Sequence, residues 1–179
     1  MTKRFVIIGV LTLSIVLGQA LCVFAFEQTG RFATLRYASM EALREFNDEL
    51  YLGGSLGRML RKKKLMTVEA EALAKVEILV EKAQLVLDMF PDNMHITVVI
   101  LADAEDVRRV YKQRYGRSAR HIAYYSLKED TIYISADDTS LEVISHEIGH
   151  AVVDHYFKVR PPYNIHELMA QFTSKHIQD

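Results

Sequence analysis

Apolar residues recur along this chain at two different periods, and the switches between them divide it into elements. Phe32 to Tyr37 predicts a first strand, and Ser39 stands as the cap of a helix running to about Leu50. Gly53-Gly54-Ser55-Leu56-Gly57 then breaks the pattern, and Arg61-Lys62-Lys63-Lys64 reads as a solvated loop. Thr67 opens a long helix ending at Pro91, in which Leu73, Val76, Val80, Ala83, Leu87 and Phe90 recur at alternating steps of three and four. That run is too short for a coiled-coil seam, so it predicts a helix backing the core.

Met94 to Leu101 predicts a strongly apolar strand, and Asp103 to Tyr115 a helix packed through Val107 and Tyr111. His121 to Ser126 and Thr131 to Ser135 read as a hairpin across Lys128-Glu129-Asp130. Thr139 and Glu142 have capping-box spacing, with Asp137 and Asp138 at the dipole's positive end, so a helix is expected from about Ser140 to Phe157. Pro161-Pro162 stops it. Ile165, Leu168, Met169 and Phe172 then have helical spacing and bring the chain back as a helix from Tyr163 to Ile177. No repeat, low-complexity tract or linker divides these elements, which predicts one α+β domain over residues 26–179, with a small mixed sheet backed by helices.

The N-terminus has a different composition. Lys3-Arg4, the apolar stretch Phe5 to Leu17 and the small-residue site Val23-Phe24-Ala25 read as a signal peptide over residues 1–25, with Ala20 as a second cleavage position. The alternative is a retained membrane anchor, because the apolar stretch extends from Phe5 to Phe26. Either way the domain is expected to be exported, periplasmic or extracellular, and to meet a membrane only if the segment is kept. Cys22 is the one cysteine and precedes the cleavage point, and bulky Leu21 argues against its lipidation. With 22 basic and 23 acidic residues the net charge is −1, and losing Lys3 and Arg4 makes it −3, which excludes nucleic acid as a partner. Arg108, Arg109, Lys112, Arg114, Arg117 and Arg120 make one neighbourhood basic, read here as a solvated helix face.

The chemistry concentrates at His146-Glu147-Ile148-Gly149-His150, an H-E-x-x-H pattern inside the helix expected from Ser140. Four residues of helix turn the chain about 400°, so the two imidazoles lie roughly 40° apart on one face and can serve one zinc ion. Glu147 sits about 100° further round, too far to join them as a ligand yet close enough to act as a base on water at the metal. The helix is apolar on nearly all sides: Leu141, Ile144, Ile148, Ala151 and Val152 make one face, while Val143, Val153 and Phe157 flank the histidines. A buried group without a partner costs about 1 to 3 kcal/mol, so a shared ion accounts best for three buried polar side chains.

A catalytic zinc site needs a third protein ligand. His155 lies about 180° from His146 on the same helix and is excluded. Asp154 is too close to fold back, but at i+4 it is a candidate partner for the far nitrogen of His150. On the last helix, Glu167, Ala170, Gln171 and Ser174 form a separate stripe, and small Ala170 would let that stripe approach Gly149. Glu167 is therefore the preferred ligand, with His166 as its rival.

These residues resemble the gluzincins of the zincin metallopeptidase superfamily, in which H-E-x-x-H is followed by a glutamate ligand on a later helix. The likeness covers about residues 121–177, and the size is similar to that of the small members called minigluzincins. It implies a zincin-like fold with a buried active-site helix, zinc on His146, His150 and Glu167, and peptide hydrolysis by metal-activated water with Glu147 as general base. Where thermolysin-like members carry an aspartate that orients the first histidine, this chain has Gln171. Metzincins match less well, because glycine and histidine would be needed at Val153 and Tyr156. Tyr163, His166 or a hairpin tyrosine is the expected oxyanion or substrate donor, and the hairpin could add a peptide or protein substrate as a further strand. The competing expectation is a non-catalytic, zinc-stabilised envelope binding module, with His166 closing a four-ligand shell.

Overall fold

A computed structural model describes residues 26–179, so the expectations for residues 1–25 fall outside the described residues. Five strands form one mixed sheet: β1 (Phe26–Thr29), β2 (Ala33–Tyr37), β3 (Ile96–Leu101), β4 (Ala123–Ser126) and β5 (Thr131–Ser135), in the order β1-β2-β3-β5-β4. β2, β3 and β5 run parallel, and the two outer strands are antiparallel to their neighbours. The helices are α1 (Met40–Glu49), α2 (Gly54–Arg61), α3 (Val68–Leu87), α4 (Ala104–Tyr115), α5 (Leu141–Tyr156) and α6 (Tyr163–His176). No helix of the described residues is long and apolar enough to cross a membrane.

Successive strand residues point to opposite faces, and this alternation builds two cores. Ile96, Val98 and Ile100 of β3, with Ile132 and Ile134 of β5, face a large core shared with α1, α3 and α5. Val99, Leu101 and Tyr133 point the other way, onto Val107, Val110 and Tyr111 of α4. Leu73, Val76, Val80 and Ala83 of α3 are buried as expected of a backing helix. That helix stops at Leu87, where Asp88 takes a left-handed conformation, so Phe90 lies beyond it and is exposed.

Four readings of the sequence change. Phe26, counted in the apolar N-terminal stretch, begins β1, and its ring stacks on Tyr37 at 5.4 Å. The glycine-rich break is the entrance to α2, anchored by buried Leu56; a Cβ on Gly57 would lie 2.4 Å from the carbonyl oxygen of Leu52, so glycine there permits close packing. Thr139 donates its hydroxyl to the carbonyl of Ser135, leaving Ser140 to cap α5 by accepting from Val143 N–H.

The most consequential change concerns α6. Its stripe of His166, Ala170 and Thr173 is buried, while Ile165, Leu168 and Phe172 face outward. Backbone proximity decides this: a Cβ on Gly149 would sit 2.9 Å from Ala170 Cα and 2.9 Å from Thr173 Oγ1. Beside Gly149 only small residues fit, so the apolar stripe is turned away from the α5–α6 contact.

Candidate metal centre

Local helix geometry places the first two side chains. His146 and His150 are one turn apart on α5, their rings 4.7 Å between centroids and nearly perpendicular. The close α5–α6 contact then brings in Glu167, with Oε1 3.5 Å from His146 Nε2 and Oε2 3.5 Å from His150 Nε2. One donor atom from each of the three lies within 4.8 Å of the others. Donors each about 2.0–2.1 Å from a tetrahedral ion are about 3.4 Å apart, so the carboxylate–imidazole spacing suits a shared metal. These three residues could hold a metal ion.

Burial tunes the set toward ligand chemistry. Desolvation lowers the pKa of His146 against the opposing pull of Glu167 and Glu142. It takes His150 down to about 3, helped by His146, His166 and Arg160. Both rings are thus neutral near neutral pH, the form that offers a lone pair.

Glu147 stands outside this ring of donors. Its Oε2 accepts the backbone N–H of Tyr125 at 2.7 Å. Burial pushes its carboxyl up to about 7, opposed by that N–H and aided by Glu167. A carboxyl poised there can both take and release a proton at neutral pH.

Tyr125 belongs to β4, the outer strand on this side of the sheet. The carbonyl of Ile122 accepts from Ser135 N–H on β5, so the alternating backbone groups of Ala123 and Tyr125 face away from the sheet. A second tie holds β4 over α5: the Tyr125 hydroxyl donates to Asp130, and the same carboxylate pairs with His155 Nε2 at 2.9 Å. That contact raises the His155 pKa and accounts for this histidine without the metal.

Two depressions of about 750 and 500 Å³ meet beneath β4 and share His121, Ala123, His146 and Glu147. Arg117 and Lys128 flank one side of this cleft, Arg120 and Lys175 the other. None of these four forms an ion pair among the described residues, whereas Arg109 pairs with Asp106 and Arg114 with Glu129. The basic neighbourhood is thus divided, with part of it solvated as expected and part of it lining the cleft.

No family model matches the chain, and neither does any curated protein or solved structure. Its chemistry rests on these residues alone.

The remaining candidates are placed as follows. Tyr163 lines the cleft and is 79% exposed. His166 is 1% exposed, with Nδ1 2.7 Å from His150 Nδ1 and Nε2 2.9 Å from Asp154 Oδ1. Both nitrogens are occupied, which removes it as a substrate donor and as a rival ligand. Asp154 therefore reaches His150 only through His166. Gln171 donates to Glu167 Oε1 at 3.1 Å, steadying that carboxylate and not His146. Among the hairpin tyrosines, the Tyr125 and Tyr133 hydroxyls are bound to Asp130 and Glu129, and that of Tyr124 is buried. The sequence reading missed His121, which lines both depressions of the cleft. Nothing local marks it, because its position follows from β4 being the outer strand.

Proposed function

We propose that this protein is an exported zinc-dependent peptidase of the zincin type, gluzincin-like, that hydrolyses extended segments of peptide or protein substrates. One observation carries the reading: three donors lie within 4.8 Å of one another while a fourth polar group, Glu147, stays out of the ring and lines the same cleft. A zinc ion held there supplies a Lewis acid for the scissile carbonyl and lowers the pKa of water beside it toward about 7.

The chain's own residues do the rest. Glu147 is anchored through Oε2, leaving Oε1 to take a proton from water as the water oxygen bonds to the carbonyl carbon. The same carboxyl returns that proton to the amide nitrogen as the C–N bond breaks. The outward N–H and carbonyl of Ala123 and the carbonyl of Tyr125 suit pairing with an extended substrate strand, the Tyr125 N–H being held by Glu147. Unpaired cations on both flanks favour acidic side chains, whichever direction the substrate runs. The non-catalytic module loses support, because its fourth ligand, His166, has no free nitrogen.

The test pairs zinc content with cleavage of a denatured protein. Glu147→Gln should keep one zinc per chain and the fold while cleavage falls by about a hundredfold to ten-thousandfold. Undiminished cleavage, or loss of zinc, would remove Glu147 from the role of base. Running the parent protein on peptides with acidic or basic flanks tests the charge preference, and equal rates would refute it.

A further inference from the structure

We infer that Asp154 and His166 set the tautomer of His150, forming a positioning relay that keeps its Nε2 bare for a metal ion. The inference rests on the metal site proposed above and concerns two residues which touch neither ion nor substrate.

The relay is a line of contacts that starts at a charge. Asp154 is 2% exposed on its side chain, and Arg160 Nε, 3.1 Å from Oδ1, pairs with it. An ionised carboxylate only accepts, so the proton in the 2.9 Å contact belongs to His166 Nε2. A neutral imidazole protonated there has a bare Nδ1, which must accept in the 2.7 Å contact with His150 Nδ1. His150 then has its proton on Nδ1, and its Nε2 faces Glu167 with a free lone pair. Ring geometry agrees: the rings are 12° from parallel with centroids 4.7 Å apart, as in two rings meeting edge to edge through these nitrogens.

Simple filling of the α5–α6 interface would not require this order of donors and acceptors. An apolar ring would occupy the volume of His166 without leaving Asp154 beside an imidazole. His166 also precedes Glu167 on α6, so its contact with Asp154 fixes the rotation that aims Glu167 at His146 and His150. One buried histidine thus orients a ligand on each helix.

Ring-nitrogen NMR shifts of the metal-free protein, labelled with 15N-histidine at mildly alkaline pH, read the tautomers directly. A protonated Nε2 in His166 and a protonated Nδ1 in His150 are expected; the reverse pattern overturns the inference. A second measurement is zinc affinity by chelator competition. Asp154→Asn and His166→Phe should each weaken binding about tenfold to hundredfold. His166→Gln, whose amide supplies one acceptor and one donor, should recover most of it. Equal affinity of the Phe variant and the parent would reduce the pair to packing. If the parent protein bound no zinc while the tautomers stood as stated, the metal reading would fall and the ligand-orienting role with it, a result distinct from reversed tautomers.

Discussion

α5 and α6 both bring candidate metal ligands to the same point, yet they are built on opposite principles. α5 is enclosed, and its His146 and His150 are paired by the pitch of a single helix. α6 buries a small and polar stripe and exposes an apolar one, so its Glu167 is aimed by contact with α5 and not by its own pattern. A ligand pair within one helix survives wherever that helix forms. A ligand from a second helix survives only while the two backbones stay close.

The most severe way to probe this difference is to remove one ligand from each helix. His150→Ala and Glu167→Ala are each expected to weaken zinc binding by more than about a hundredfold, beyond what loss of an outer partner costs. Near-parent affinity in Glu167→Ala, measured by chelator competition, would leave α5 as the sole metal-binding element. Gly149→Ala comes next. It puts a methyl against Ala170 Cα and Thr173, so α6 must shift, and chemical denaturation should show a loss of about 1 to 3 kcal/mol.

A pH comparison follows, and it concerns α5 alone. Because burial holds Glu147 up at about 7, the folded metal-free protein keeps a proton there that the unfolded chain has already released. This contribution favours the fold at acid pH and is lost as pH rises through about 7. His146 and His150, with lowered values, tilt stability the other way below the ordinary histidine range, so Glu147→Gln is the control. The variant should gain roughly 1 to 3 kcal/mol over the parent between about pH 5 and 8 in urea titrations. A constant difference across that range would mean that Glu147 titrates normally. The smallest effect belongs to the outer face of α6: Leu168→Ser and Phe172→Ser should each change stability by no more than about 0.5 kcal/mol. A large loss in either would show that this face is covered in the folded protein.

Legibility followed the same division. The strands β3 and β5, the backing helix α3 and the H-E-x-x-H face of α5 all have a period that burial enforces, so residue order reveals them. The approach of Ala170 to Gly149 was also readable, because small residues on facing stripes have few other uses. α2 was hidden because its glycines serve a tight entrance that looks like a break. The apolar residues of α6 misled for a physical reason, since helical spacing reports amphipathicity and not which stripe is packed.

By itself, the sequence determined what is local: a capped helix, two imidazoles one turn apart and a carboxylate beside them, all fixed by 3.6 residues per turn. Tertiary structure decided everything that depends on distance through space. It brought Glu167 to the two imidazoles of α5, sent Asp154 to His166, placed the Tyr125 N–H on Glu147 and brought His121 to the cleft. Those choices follow from how closely two helices approach and which strand lies at the sheet edge, and neither quantity is set by the order of residues within a single element.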